Sequence, residues 1–544
     1  IKAIDNSRLG DQEMLPGELK NNPARNTYYF LPLILGLLGM AWQYKRERKD
    51  FWVVSVLFIM TGIAIVVYLN QSPLQPRERD YAYAGSFYAF SIWVGMGLCF
   101  IVDRLRKILS QKIVVPLAFL VCLLAVPGLM ALENWDDHDR SGRYTARDIG
   151  SNYLNSCDEN AVIFTYGDND SFPVWYAQDV EGIRTDVRVA NLSYLSAGWY
   201  IDMMRQKAYE SDPVQFTLGP EKYRPGRREQ LPVTDRVNRP YDIIELLKFA
   251  GSEERQSKID FTGRGDYYNF IPSSRFLLPV DSAKVLSNGT VRDYQADRLL
   301  NNVIWNYESS EMYKNNLAVM DMLGTNEWER PFYFASTVPP SNYMGLDDYF
   351  QMEGLAYRIA PLDSTGTRTQ DIGFIDTRKM YDNVMNRFKW GNASDPDVYL
   401  DENNRRMFSN FRRMFGLLAE ALISEGDTLK AREVLHKSLD EIPGAKIRHD
   451  YYSVNLVKGF FNLGDKDEAM DIATDIVENA KQYLEMVIRL DGPMRYDLDY
   501  VIGLNLQSLI SLYNMSGTMG INELRDMIEQ DLDRYYNELI MMSS

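Results

Sequence analysis

The sequence has few cysteines and histidines and no surplus of basic residues. Of its 544 residues three are cysteines, and because Cys99 and Cys122 lie in apolar runs, Cys157 cannot form a disulfide within the polar part of the chain. The three scattered histidines do not follow a zinc-binding pattern. A net charge of −16 argues against a nucleic-acid-binding protein, because phosphate binding requires a basic face.

A signal peptide is also missing. The chain begins at Ile1, without the basic segment and short apolar core that precede a cleavage site. We therefore expect a piece of a larger protein. The apolar residues concentrate in the first quarter and almost all of the acidic surplus follows it, which predicts a membrane part and then a soluble part of two or more domains.

Four apolar runs in the first quarter are each about long enough to cross roughly 30 Å of hydrocarbon. They cover residues 27–44, 51–69, 86–102 and 113–132. Helices in the core of soluble proteins seldom stay apolar on all sides over such lengths. The sequence therefore predicts a bundle of four transmembrane helices.

Basic residues between these runs predict their orientation. The segments "YKRERKD" and "DRLRKILSQK" follow the first and the third run. Because basic loops stay on the cytoplasmic side, residues 1–26, the loop between the second and third runs and everything after Leu132 are expected on the other side. For a bacterial chain this predicts an inner-membrane protein whose large soluble part lies in the periplasm.

The loop "QPRERDYAYAGS", residues 75–86, joins the second and third runs and contains Arg77, Glu78, Arg79, Asp80 and Tyr81. One interpretation is an ion-paired turn with its tyrosine at headgroup depth. The other is a site for a lipid-linked phosphate. In that hypothesis Arg77 and Arg79 bind the phosphate, because arginine makes bidentate contacts with it, while Glu78, Asp80 and Tyr81 support them.

Residues 133–395 are predicted to form an α/β domain. "NAVIFTYG" and "DVRVANLSYL" have the composition of buried strands, and "FPVWYAQDVEG" between them that of a helix. Such a strand–helix–strand unit is typical of a parallel sheet covered by helices. "RPFYFAST" and "GLAYRIAPL" are predicted as later strands.

The turn "GDND" after the first strand is a candidate ligand site. Gly167 would allow a tight exit from the strand, and Asp168 and Asp170 would lie at the carboxyl edge of the sheet, where α/β domains bind ligands. Two aspartates so spaced can hold a divalent cation. The favoured alternative is that Asp170 or Ser171 caps the following helix, which has Pro173 near its start.

Aromatic residues are frequent in the same region, among them Trp175, Tyr176, Trp199 and Tyr200. Aromatic faces suit sugar or peptide binding, but a hydrophobic core explains the same residues, and the sequence favours the core.

Residues 396–544 are predicted to be helical. "FGLLAEALISEGDTLKAREVLHKSLDEIP" and "LVKGFFNLGDKDEAMDIATDIVENA" share a spacing in which Gly-Asp is followed by a small residue, Ala431 in the first and Ala469 in the second. This pattern predicts tetratricopeptide-like helix–turn–helix repeats. The predicted domains are a lead-in segment (1–26), four transmembrane helices (27–132), the α/β domain (133–395) and the repeats (396–544).

Several long segments resemble one family of large bacterial membrane proteins. They are "SRLGDQEMLPGELKNNPARNTYYFLPLILGLLG", "YLNQSPLQPRERDYAYAGSFYAFSIWVG", "FTYGDNDSFPVWYAQDVEGIRTDVRVANLSYL" and "MEGLAYRIAPL". That family is similar to the endoplasmic-reticulum protein O-mannosyltransferase that modifies plexin-type receptor domains, and it is assigned to the type C glycosyltransferases. The resemblance spans nearly the whole chain.

This resemblance implies an enzyme with a lipid-phosphate-linked sugar donor and a soluble end of tetratricopeptide-like repeats. It also implies that the chain is the C-terminal half, because the catalytic carboxylate of such enzymes lies near the N-terminus; no catalytic residue is assigned. Such donors carry no nucleotide diphosphate, which weakens the metal hypothesis for Asp168 and Asp170. A donor linked to a lipid phosphate strengthens the hypothesis that Arg77 and Arg79 bind a phosphate.

We therefore expect part of a membrane glycosyltransferase that moves a hexose, with mannose favoured, from polyprenyl phosphate to Ser or Thr of secreted proteins. No cofactor is assigned; the expected partners are membrane lipids, the sugar donor, the acceptor proteins and the N-terminal half. The alternative is a non-catalytic periplasmic scaffold, anchored in the membrane, that binds a protein through its repeats. A third hypothesis makes the α/β domain a metal-dependent enzyme built on Asp168 and Asp170.

Overall fold

A computed structural model describes residues 6, 12–71, 79–237, 239–260, 263, 265–364, 373–490 and 498–543. The chain divides into two compact units. One comprises Ile1–Ser141 with Val477–Ser544, and the other comprises Gly142–Ile476. The four-domain division stays a prediction.

The apolar part of the chain forms helices after a single turn at Gly17–Lys20. They are α1 (Leu31–Arg46), α2 (Arg48–Thr61), α3 (Ile63–Leu69), α4 (Ala84–Leu105), α5 (Gln111–Leu123) and α6 (Leu129–His138). Within the described residues, three helical stretches are long and apolar enough to cross a membrane, namely Arg48–Leu69, Asp80–Leu105 and Gln111–His138.

The first predicted span is shorter than the sequence indicates. α1 has 16 residues, about 24 Å of helix against about 30 Å of hydrocarbon. Tyr29 and Phe30 have positive φ angles and Pro32 occupies the first turn, so the helix begins at Leu31 rather than at Thr27. In the described part of the chain, three helices of membrane length are therefore found where the sequence predicts four.

α1 packs closely against α4. A Cβ atom on Gly39 would lie 1.8 Å from the carbonyl oxygen of Trp93, so only glycine permits this approach. The indole Nε1 of Trp93 donates a buried hydrogen bond of 2.8 Å to Gln43 Oε1. Further along both helices Arg46 forms an ion pair of 2.6 Å with Asp103, so the two helices run in the same direction.

The second unit is built on strands and helices. The described strands are β1 (Val162–Thr165), β2 (Arg188–Asn191), β3 (Gln230–Pro232), β4 (Tyr241–Asp242), β5 (Lys258–Asp260), β6 (Tyr267–Asn269), β7 (Arg275–Pro279), β8 (Asn302–Asn306), β9 (Glu311–Tyr313), β10 (Phe332–Ala335), β11 (Phe350–Met352), β12 (Ala356–Ile359) and β13 (Phe374–Ile375). The helices up to β13 and just after it are α7 (Thr145–Ser156), α8 (Asp168–Asp179), α9 (Gly198–Met204), α10 (Ile243–Gly251), α11 (Ser282–Ser287), α12 (Lys314–Asn326) and α13 (Thr377–Asp382).

The main sheet has the strand order β13-β11-β12-β10-β1-β2. Strands β10, β1 and β2 are parallel, and every residue in them is buried because helices cover the sheet. β12 is antiparallel to both β10 and β11, so the sheet is mixed rather than parallel as predicted. The reason is the connection 353–355 between β11 and β12, which is too short for a crossover.

Each of the four segments predicted as strands contains one of the observed strands, β1, β2, β10 or β12. The described residues between β2 and β10 form three further small sheets that the sequence does not predict, and their strand orders are β3-β9, β4-β7-β8 and β5-β6. The β3-β9 pair is antiparallel and joins Gln230 to Tyr313.

A buried ion network connects the start of β1 to the strands at the far side of the sheet. Arg292 forms ion pairs with Glu353 at 2.6 Å, Asp376 at 2.9 Å and Asp158 at 3.4 Å, and Arg358 pairs with Asp158 at 2.7 Å. Burial acts in the opposite direction, but Arg358 and Arg292 hold the pKa of Asp158 below its ordinary value. Because its charges compensate one another, the network serves the fold.

The C-terminal part is helical, with pairs joined by short turns. The helices are α14 (Glu402–Ser424), α15 (Thr428–Glu441), α16 (Val454–Leu463), α17 (Lys466–Arg489), α18 (Asp499–Met519) and α19 (Asn522–Ser543). Gly426 and Gly464 have φ angles of +85° and +83°, a conformation that favours glycine, and Ala431 and Ala469 are fully buried as predicted. The pairing is confirmed, and its tetratricopeptide-like character stays a prediction.

Candidate functional site

The predicted "GDND" turn lies at the carboxyl end of β1, where α8 begins. Gly167 is the N-cap residue of α8, and Asp168 is its first residue. Gly167 has a φ angle of −108°, and a Cβ atom there would contact nothing within 4 Å. The backbone of this turn therefore does not require glycine, and a ligand-binding role for Gly167 stays a prediction.

Asp170 is almost fully buried and caps the start of α8 through its carboxylate, from the third position of the helix. Its carboxylate accepts hydrogen bonds from the amides of Tyr166 at 3.1 Å and Gly167 at 3.0 Å. It also accepts from the hydroxyls of Ser171 at 3.3 Å and Thr337 at 2.8 Å. The bond from Thr337 connects the turn to the segment after β10, so Asp170 fixes two neighbouring strand ends in one arrangement.

The aspartate pair does not present two available carboxylates. Asp168 is exposed, whereas both oxygens of Asp170 already accept from protein donors. In the part of the chain that the structure describes, no group of three or more His, Cys, Asp or Glu side chains could hold a metal ion. The geometry favours the capping interpretation, with Asp170 as the third helical residue rather than the N-cap.

A second set of hydrogen bonds connects the ends of β1 and β2. The hydroxyls of Thr165 and Ser171 share a bond of 2.7 Å, and Asn191 Nδ2 donates to Ser171 Oγ at 2.7 Å. Ser193 Oγ donates to the carbonyl of Tyr166 at 2.9 Å. The contacts of Ser171 are buried and that of Ser193 is exposed, and together they hold the ends of β1 and β2 in one arrangement.

An open cleft of about 470 Å³ lies beside this turn, and we name it the edge cleft. Its lining combines strand ends, the β3-β9 pair and the segment after β10, namely Tyr166, Ser193, Ser196, Glu229, Gln230, Tyr313, Lys314, Asn315 and Asn342. Hydroxyl, amide and aromatic groups predominate. A cleft of this size at the carboxyl edge of a sheet is where α/β domains bind small ligands.

The charges in the edge cleft compensate each other. Lys314 is buried, with 2% of its side chain exposed, and its Nζ donates to Glu229 Oε1 at 2.7 Å. Burial raises the pKa of Glu229, but hydrogen bonds from Lys314 and from the Gly226 amide outweigh it and hold that pKa below its ordinary value. The cleft therefore presents a neutral, hydrogen-bonding surface at neutral pH.

The charged loop lies only partly in the described chain. Arg77 and Glu78 fall outside the described residues. Arg79, Asp80 and Tyr81 are exposed, and Asp80 Oδ1 accepts from the amide of Tyr81 at 2.9 Å in the turn that leads into α4. Because Arg77 and Glu78 lie outside the described residues, the phosphate hypothesis stays a prediction.

Sequence patterns identify one side of the edge cleft and miss the other. Tyr166 adjoins the predicted turn, but Glu229, Gln230 and Lys314 lie far from it in sequence. They reach the cleft because β3 pairs with β9, a long-range contact between short strands that no local pattern marks. The signal in the sequence for this side of the cleft is Lys314, a charged residue at the start of the helix α12, which contains many apolar residues.

Comparison with known proteins gives one match. Residues 146–379 match the family model described as TMEM260-associated domain 2. The match begins in α7 and ends in α13, so it includes the main sheet, the cap formed by Asp170 and the edge cleft. No curated protein and no solved structure matches the chain.

The matched residues cover less than half of the chain. Within them the comparison agrees with the predicted resemblance at the level of the family, and it points to a membrane protein related to glycosyltransferases. Donor, acceptor and activity are outside what it shows.

Proposed function

We propose that the chain is part of a membrane glycosyltransferase that moves a hexose from polyprenyl phosphate to Ser or Thr of secreted proteins. The observation that carries the proposal is the match of residues 146–379 to a domain associated with TMEM260, an O-mannosyltransferase-like protein, in a chain that also has three membrane-length helices. Mannose is the favoured hexose because of the sequence resemblance.

The distribution of charge in the membrane unit supports an orientation with the soluble part outside the cytoplasm. The basic residues after α1 and after α4 lie at one end of these two parallel helices, where Arg46 pairs with Asp103. At the opposite end the Tyr28 hydroxyl donates to Asn134 Oδ1 at 2.8 Å, next to the acidic end of α6. Basic ends face the cytoplasm, so the loop at residues 70–85 faces outward.

That outward loop is the proposed site for the donor phosphate. Arg77 and Arg79 would form the cationic contacts, and arginine suits them because its guanidinium binds phosphate oxygens in pairs. A cationic contact stabilises the leaving phosphate, while a carboxylate takes the proton of the acceptor hydroxyl. The carboxylate belongs, in this proposal, to the N-terminal half of the protein.

The soluble elements have the task of recognising the acceptor. The edge cleft offers hydroxyl and amide groups to a neutral ligand, and the C-terminal helix pairs, predicted to be tetratricopeptide-like repeats, would offer a protein-binding surface. On this proposal the large soluble region contributes specificity, and the chemistry takes place at the membrane.

A transfer assay on the full-length protein in nanodiscs tests the proposal. Labelled hexose is supplied on polyprenyl phosphate together with a mixture of secreted proteins, and labelled protein is counted. We expect transfer by the wild type, strong loss in Arg77→Ala and partial loss in Arg77→Lys, since lysine keeps the charge without the paired contacts. Lys112→Ala is the matched control, because Lys112 is an exposed cation beside the other end of the membrane helices.

The two failures of this assay have different meanings. If transfer survives in Arg77→Ala and Arg79→Ala, the protein is still a glycosyltransferase, but the loop is a structural turn rather than the donor-phosphate site. Absence of transfer with every lipid-linked hexose tested would contradict the proposal and favour the scaffold alternative, which further predicts co-purification with one stable partner.

A further inference from the structure

Four aromatic side chains form an exposed row next to the edge cleft. The row consists of Phe172, Trp175, Tyr194 and Trp199, and its successive ring centroids are 5.5, 6.0 and 6.4 Å apart. Phe172 is 50% exposed, Tyr194 38% and Trp199 61%. Large aromatic rings gathered in this way on a surface indicate a binding site rather than a core.

This arrangement corrects the expectation that the aromatic residues of this region belong to the core. Tyr200 does belong to it, since it is buried and its hydroxyl accepts a hydrogen bond of 3.0 Å from the amide of Asn191. Trp199 and Tyr176 are exposed, and Trp175 is half-buried within the row. The sequence could not separate the adjacent residues Trp199 and Tyr200, because which one faces the core depends on where α9 begins.

The row and the edge cleft adjoin each other at the turn after β2. Ser193 and Ser196 line the cleft, and Tyr194 between them belongs to the row. Consecutive rings of the row are inclined to each other by only 37°, 22° and 42°. A ligand can therefore contact the aromatic surface and the polar groups of the cleft at the same time.

We propose that this surface binds a short, neutral hexose chain. A hexose ring has an apolar C–H face, which packs on an aromatic ring, and a rim of hydroxyl groups, which require amide, hydroxyl and carboxylate partners. The row supplies the first kind of contact. Gln230, Asn315, Asn342 and the serines of the cleft supply the second.

Other ligand classes fit less well. An anionic headgroup or a nucleic acid requires unpaired cations, but the buried Lys314 is neutralised by Glu229 at 2.7 Å. The cleft side of the surface is lined by serine, asparagine and glutamine side chains, whose hydroxyls and amides can pair with the hydroxyl rim of a sugar. A neutral ligand rich in hydroxyls satisfies both parts of the surface.

The surface is also held rigidly, which favours binding of a flexible sugar chain. Asp170 fixes the start of α8, which contributes Phe172 and Trp175 to the row. Asn191 Oδ1 accepts from the amide of Tyr194 at 3.0 Å and so holds the turn between them. Little ordering of the protein is then needed on binding.

The inference rests on the proposed function for the identity of the ligand: in a glycosyltransferase this surface would recognise a glycan on the acceptor protein. Sugar binding itself rests only on the geometry. The test therefore contains no lipid donor and measures no turnover, so that its failure and that of the proposed transferase can be told apart.

Binding of neutral trisaccharides of mannose, glucose and galactose to the full chain is measured by calorimetry. The protein is kept in nanodiscs, because sugar-headed detergents would compete. We expect saturable binding of at least one trisaccharide and about tenfold weaker binding by Trp199→Ala and by Phe172→Ala, with partial retention in Trp199→Phe. Tyr268→Ala is the control, since Tyr268 is 48% exposed but lies on β6, outside the row.

Unchanged melting temperatures in these variants exclude unfolding as the cause of weaker binding. The proposal is overturned if no trisaccharide binds saturably, or if Trp199→Ala and Phe172→Ala bind as the wild type does. It is equally overturned if an unglycosylated Ser/Thr-rich peptide binds and competes at the row while the trisaccharides do not, because the surface would then recognise a peptide.

Discussion

Replacing Asp170 by alanine should open the beginning of α8 while leaving the rest of the second unit intact. Asp170 accepts four hydrogen bonds. The hydroxyls of Ser171 and Thr337 can turn to other acceptors, but the amides of Tyr166 and Gly167 cannot. Each stranded amide costs about 1 to 1.5 kcal/mol, so we expect a loss of about 2 to 3 kcal/mol.

Hydrogen exchange measures this loss where it occurs. A local destabilisation of about 2 to 3 kcal/mol raises the opening constant about thirty- to about 150-fold, and peptides covering residues 162–179 of the full chain should exchange faster by that factor. Asp168→Ala is the matched control. Asp168 is exposed in the same helical turn and contributes only a helix-dipole interaction, of less than about 1 kcal/mol.

Two outcomes would refute the capping interpretation. Equal acceleration in Asp168→Ala and Asp170→Ala would mean that the hydrogen bonds to Asp170 carry no special weight. Protection of the wild type by magnesium, manganese or calcium, lost in both variants, would restore the metal hypothesis for the pair.

Three further predictions concern the two units. Gly39→Val should lower the melting temperature of the protein in nanodiscs, because its Cβ atom would lie 1.8 Å from a carbonyl oxygen of α4. Gly95→Val is the control, since a Cβ atom there meets open space. Equal melting temperatures of the two variants would contradict the close packing of α1 on α4. Arg292→Met should cost about 3 to 5 kcal/mol of unfolding free energy, because the buried Asp376 loses its ion pair with Arg292 and the buried Glu353 keeps only the longer one with Arg358, at 3.5 Å; a loss below 1 kcal/mol in denaturant titration would contradict this. Burial and a neighbouring arginine lower the pKa of His449 to about 3. Below about pH 6.5 the unfolded chain therefore binds a proton at His449 that the folded chain does not bind. The free energy of unfolding should fall by about 2 kcal/mol from pH 7 to pH 5 because of this residue. The same fall in the His449→Asn variant would contradict this explanation.

The strands of the main sheet were predictable because burial on both faces gives them an unmistakable composition. "VIFT", "RVAN", "FYFA" and "AYRI" are each wholly buried in the structure. The helix pairs at the C-terminus were predictable for a similar reason, since Gly426 and Gly464 mark turns that require a positive φ.

The remaining features depend on contacts that local patterns do not encode. The length of α1 is set by two positive φ angles before Pro32, although the apolar run itself is long enough. The polar side of the edge cleft depends on the β3-β9 pair, which joins segments about eighty residues apart. The aromatic row depends on which of two neighbouring aromatic residues, Trp199 or Tyr200, turns toward the core.

The central claim is that this chain belongs to a protein that transfers a hexose from a lipid phosphate to secreted proteins. The most direct measurement is a single-turnover reaction of the full-length protein in nanodiscs with labelled mannosyl polyprenyl phosphate, with the acceptor residue identified by mass spectrometry. We predict label on Ser or Thr of a secreted protein, formed by the wild type and not by Arg77→Ala. No labelled residue from any lipid-linked hexose, with the protein folded and the donor intact, would contradict the account.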